Sequence, residues 1–63
     1  MIVELFQGYA IKKRIKGQKW PVYVQYIHGD KIAYTLDYTH ARTYKSEKTA
    51  LKNDKKIPEI LNF

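Results

Sequence analysis

The chain contains no cysteine. That excludes disulfide staples and thiolate metal sites, and it fits a reducing, cytoplasmic setting. Nucleophiles and bases are scarce: Ser46 is the one serine, and His28 and His40 are the two histidines. The three glycines, Gly8, Gly17 and Gly29, are scattered, so no glycine-rich loop exists to cradle a phosphate. No apolar run approaches the ~18 residues of a membrane span. Residues Met1 to Gln7 lack a basic leader region and are too short for a signal peptide, so a soluble protein away from the membrane is expected. Acids are also few, six against twelve Lys and Arg, for a net charge of +6. The 63 residues bound one domain, expected over 1–63. A chain of this size buries only roughly 60% of its unfolded surface. With no disulfide, a homodimer is one remaining way to bury more.

What is present points to β-structure. Six Tyr, two Phe and one Trp lie mostly among Val, Ile and Thr in the first 44 residues. From Val3 to Ile15 the odd positions read Val3, Leu5, Gln7, Tyr9, Ile11, Lys13, Ile15, and the even ones from Gly8 read Gly8, Ala10, Lys12, Arg14, Lys16. This is period-2 alternation. Gly8 makes it either one kinked strand or two short ones. Gly17-Gln18-Lys19 is a turn. A second strand is expected over Trp20 to Ile27, with Trp20, Val22, Val24 and Tyr26 on one face and Tyr23 and Gln25 on the other. His28-Gly29-Asp30-Lys31 is a hairpin turn, and Ile32, Tyr34 and Leu36 mark a third strand. Asp37 to His40 forms a turn or a single helical turn.

Ser46 is placed to cap a helix from Glu47 to about Asn53, with Glu47 complementing the helix dipole. Pro58 stops that helix from continuing, and the tail after it forms a last strand or a short helix. The expected fold is therefore α+β: a three-stranded antiparallel meander with one C-terminal helix packed on one face, and a short final strand as one option for the tail. The expected core comprises Leu5, Tyr9, Ile11, Ile15, Trp20, Val22, Val24, Tyr26, Ile32, Tyr34, Leu36, Tyr44, Ala50 and Leu51, with the tail.

Catalysis requires a nucleophile, base or metal in mutual reach. Ser46 is better explained as a cap, and neither histidine has a ligand-spaced partner. No cofactor or metal is expected, and a binding role is favoured over an enzymatic one. The informative cluster is Lys12, Lys13, Arg14, Lys16 and Lys19, five positive charges in eight residues with no acid among them. Strand parity puts Lys12, Arg14 and Lys16 on one face, beside Tyr23 and Gln25 of the second strand and Lys31, Ala33 and Thr35 of the third. Lys and Arg neutralise phosphates, Arg and Gln read base edges, and tyrosine stacks on an unpaired base. The candidate nucleic-acid contacts are thus Lys12, Arg14, Lys16, Tyr23, Gln25 and Thr35.

The run Ile11-Lys12-Lys13-Arg14, then Trp20-Pro21-Val22-Tyr23-Val24, Gly29-Asp30-Lys31 and Arg42 to Ala50 resembles the β-β-β-α arm-type DNA-binding domain of phage and transposon integrases. The resemblance covers roughly residues 9 to 53. It implies a sheet laid on DNA, DNA ahead of RNA as ligand, and Lys12, Arg14, Tyr23, Gln25 and Thr35 as contacts. It departs from the family at Thr43-Tyr44, where a Gly-aromatic pair is usual, and in the apolar segment 1 to 8. The pattern is also similar to small prophage-encoded proteins of Gram-positive bacteria. A second reading is a phage-encoded interaction module or inhibitor that docks on an acidic host protein. Ile2, Phe6, Ile60 and Phe63 would then anchor an interface or dimer; completion of the core is the simpler role for them. Membrane attachment is not expected, because the basic residues lie on strand and turn.

Overall fold

The computed structural model describes residues 1–62. Ile2–Leu5 (β1) and Gly8–Ile15 (β2) form an antiparallel hairpin whose register runs from Ile2 opposite Ile11 to Leu5 opposite Gly8. What reads as one alternating run is therefore reversed at Phe6-Gln7. At Gly8 the backbone takes φ +144, and a Cβ there would lie 2.6 Å from the carbonyl oxygen of Tyr44. Only glycine fits this close approach. Val22–His28 (β3) and Lys31–Thr35 (β4) continue the antiparallel order β1-β2-β3-β4. Gly29, at φ +63, makes the β3–β4 turn. Asp37 caps a 3-10 turn at Tyr38–His40, its carboxylate accepting from the Thr39 N–H at 2.9 Å.

Helix α1 spans Glu47–Asp54. The Ser46 hydroxyl accepts from the Thr49 N–H at 3.2 Å, as its position predicts. Successive turn hydrogen bonds after Asp54 bring Ile57 into the core. Beyond Pro58, Ile60–Leu61 (β5) pairs in parallel with Arg14 and Ile15. The Arg14 N–H donates to Glu59 O and the Lys16 N–H to Leu61 O. These bonds leave β2 on the side where the Lys12 N–H meets Met1 O, so β1 and β5 lie end to end along one side of β2.

The architecture is α+β with an antiparallel sheet and a C-terminal helix, as expected, but the expected three strands become five among the described residues. The Phe6-Gln7 reversal adds β1, and the tail takes the strand option. One face of the sheet carries the core: Ile11, Val22, Val24, Tyr44, Ala50, Ile57 and Leu61, with Ile2, Tyr9, Ile15, Ile27, Ile32 and Tyr34 packed against them.

Five expected core residues lie outside it, Leu5 half-buried at the end of β1 among them. Trp20 is 67% exposed and Leu36 68%. β3 begins only at Val22, after a proline that has no N–H to donate, and β4 ends at Thr35, so ladder alternation governs neither residue. A bulge between Val24 and Tyr26 shifts the register, pairing Tyr26 with Ala33 and Ile27 with Ile32. Beyond it the parity inverts, and Ile27 takes the core position expected for Tyr26. In the eight-residue helix Ala50 is the buried residue, and Leu51, about 100° around the axis from it, is largely exposed. Of the apolar ends, Ile2 packs on the core, whereas Phe6 and Ile60 are exposed. Phe63 lies outside the described residues.

Candidate functional site

The face of the sheet opposite the core is built by strand register. Lys12 stands across from Tyr23, and Tyr23 from Thr35, so three strands contribute one row. Val22 and Val24 are buried on the other face, as the parity of β3 requires. Ala10 shares the parity of Lys12 yet is fully buried, so the open part of this face begins at Lys12. From there Lys12 and Arg14 line an open depression of about 220 Å³ with Gln18, Lys19, Trp20, Pro21, Met1 and Glu59. Arg14 and Lys16 line a second beside Gln18 and Ile60. Lys12, Arg14 and Lys16 thus form a continuous basic row.

The remaining candidates are placed less uniformly. Tyr23 is half-buried on the same face. Gln25 is exposed within the bulge, outside the paired register. The Thr35 hydroxyl accepts from the Asp37 N–H at 3.1 Å, so it shapes the turn after β4. Lys13, counted among the five clustered charges, belongs to the opposite face and is 1% exposed. Its ammonium group pairs with Asp54 Oδ1 and donates to Ile57 O at 2.9 Å and to Glu59 Oε2 at 3.2 Å. Glu59 also accepts from the Met1 amino group at 2.9 Å. That bond holds its carboxyl below the ordinary value; burial opposes the shift and the bond from Lys13 adds to it. Two of the six acids are therefore engaged by ammonium groups, Asp54 beneath the sheet and Glu59 at the rim of the basic depression.

Sequence reasoning placed Trp20 in the core and so missed it as a surface group. It is the chain's one tryptophan, and the Lys19 ammonium lies 5.6 Å from the centre of its ring. Trp20 and Pro21 form a ridge shared by the basic depression and an apolar one lined with Tyr23 and Leu36. The signal available in the sequence was Pro21, which marks where the ladder begins.

On the helix, Lys48, Lys52 and Lys55 line a separate depression with Thr49 and Leu51. Among the described residues, no three His, Asp or Glu side chains cluster to hold a metal ion. No helix among them is long and apolar enough to cross a membrane. Comparison with protein-family models, curated proteins and solved structures finds no match for this chain.

Proposed function

We propose that this protein binds nucleic acid through the outer face of β2 and β3, as a binding protein and not as a catalyst. The observation that carries this reading is the row Lys12, Arg14 and Lys16 running beside the exposed Trp20 and the half-buried Tyr23. Phosphates are neutralised by such a row, and aromatic side chains supply surfaces on which bases stack. The pairing of Lys13 with Asp54 and Glu59 favours it further. Carboxylates that would repel phosphate near the row are tied to buried or terminal ammonium groups. Gln25, exposed beside Tyr23 and Tyr26, is the candidate for base-edge contact. Thr35 contributes by fixing the turn that follows β4.

The second reading, docking on an acidic protein, is favoured by the exposed Phe6, which neither phosphate nor base contacts at this face use. Mobility-shift titration against DNA and RNA at two salt concentrations, with heparin as a plain polyanion, separates the two. Salt-steep binding of a nucleic acid beyond that of heparin supports the proposal. Absence of binding to either nucleic acid at low salt overturns it.

A further inference from the structure

From the arrangement around Trp20 we infer that the ligand is single-stranded, with an unpaired base stacked on the indole and the adjoining phosphates held by Lys12, Arg14 and Lys19. This rests on the nucleic-acid reading of the same face and specifies what that face accepts. The argument begins with exposure. A tryptophan with 67% of its surface in water is a large apolar group left uncovered. It does not stand alone, since Leu36 is 68% exposed and borders the same apolar depression of about 400 Å³, whose remaining walls are Pro21 and Tyr23. Scattered apolar residues on a surface need no explanation, but a contiguous patch marks a contact.

The chemistry of the contact follows from what lies across the ridge. Trp20 and Pro21 also border the depression that holds Lys12, Arg14 and Lys19. One wall of the ridge is therefore predominantly cationic, with Glu59 its one acid, paired to the Met1 amino group, and the other is apolar. A single strand offers the complementary pair, a charged backbone and bases with open faces. A duplex offers the charge and its base edges, but its base faces are stacked on one another and reach a ring only when flipped out, at a cost of a few kcal/mol. The Lys19 ammonium lies 5.6 Å from the centre of the indole, so a cation and a stacking surface stand side by side. Pro21, with its fixed φ, limits movement of the backbone under the ring. The geometry tolerates any base, since every base has a stacking face.

The basic depression on the helix lacks this pairing. Lys48, Lys52 and Lys55 adjoin Thr49 and the largely exposed Leu51, with no aromatic ring among them. That surface can attract phosphate but offers no ring for a base.

Because Trp20 is the one tryptophan, its emission reports the contact directly. The test titrates the full chain with oligothymidine and oligouridine of about ten nucleotides, within the span that one small sheet domain covers, and with a duplex of equal charge. The expected result is quenching of indole emission by a single strand, with tighter binding than to the duplex. Trp20→Ala should weaken single-strand binding roughly 5- to 150-fold, the range spanned by stacking one base on one ring, and weaken duplex binding less. Trp20→Phe should recover part of the loss. An unaltered melting temperature for both variants checks that an exposed side chain has been removed without unfolding. Thymidine against uridine shows whether DNA or RNA is preferred within the single-stranded class. If the duplex binds as tightly as the strand and indole emission does not change, the inference fails while the nucleic-acid reading stands. If neither strand nor duplex binds, both fail and the apolar ridge is left to a protein partner.

Discussion

Lys13 sits on the core face of β2 with its ammonium group among Asp54, Glu59 and the carbonyl of Ile57. Burying an ammonium group is tolerated only when it is paired and hydrogen-bonded, and here it also meets the carbonyl of Asp54 at the end of α1, where the helix dipole favours a cation. Lys13→Ala leaves the Asp54 carboxylate beneath the sheet without its partner. Breaking a buried pair costs about 3–5 kcal/mol, and the part of Asp54 that water still reaches favours the lower end. A domain of this size holds only about 3–9 kcal/mol in all. Lys13→Ala should therefore lose about a third or more of the stability and melt far below the parent by circular dichroism, while Arg14→Ala, exposed on the opposite face, should melt within a few degrees of the parent. The parity of Lys13 with Ile11 and Ile15 was legible in the sequence. What hid its role is that the residues answering its charge come from more than forty positions later.

Glu59 carries the acid sensitivity of the same cluster. Its carboxyl lies below the ordinary value of 4.5, chiefly because the Met1 amino group donates to it. A carboxyl lowered in the fold contributes stability that is complete above its unfolded value and is lost as pH falls through the folded one. Melting temperature should therefore decline below about pH 4.5, and Glu59→Gln should start lower at neutral pH and decline less steeply. Asp37 acts in the same sense through Thr39, so the decline will not vanish. An identical acid slope in parent and variant would contradict the assignment.

At the scale of elements, boundaries follow from punctuation more than from propensity. Ser46, Glu47 and Pro58 marked the helix, and Gly29 marked the β3–β4 turn, because each answers a local backbone need. The β1–β2 reversal at Phe6-Gln7 has no such residue at its centre. Its constraint sits at Gly8, whose backbone passes under Tyr44 while Tyr9 and Tyr44 exchange hydrogen bonds of 2.9 and 2.8 Å. A contact with a residue 36 positions away cannot be read from the hairpin itself. Gly8→Ala should cost more than the ~1–3 kcal/mol of an unfavourable backbone conformation, because the backbone at Tyr44 must also move. Gly17→Ala, at φ +84 with open space around it, should cost only the conformational part. Denaturant melts of the two variants give the comparison, and equal losses would mean that the approach to Tyr44 is unimportant. The bulge at Gln25 was equally hidden. Alternation read through it turned Tyr26 inward, and one inserted residue is enough to exchange the faces.

Across the whole molecule the two faces of the sheet divide the labour. The inner face, packed against α1, Tyr44 and Ile57, holds the apolar core and the buried ammonium group of Lys13. The outer face collects Lys12, Arg14 and Lys16 beside Trp20 and Tyr23. The basic row was visible in the sequence because charges at alternate positions of one strand share a face. The aromatic part was not, since Trp20 lies in the loop before β3, where alternation does not apply. A net charge of +6 alone would draw the whole molecule toward any polyanion, so the central claim turns on where the charge acts. The most direct test is the salt dependence of oligonucleotide binding for three proteins: the parent, a variant with Lys12, Arg14 and Lys16 changed to Gln, and a variant with Lys48, Lys52 and Lys55 on the helix changed likewise. For a single strand, neutralising one phosphate fewer flattens the log–log slope by about 0.7, so the slope of the strand variant should flatten by roughly 2 and that of the helix variant by little. Equal flattening by the two variants would mean diffuse attraction without a site, and would contradict the account.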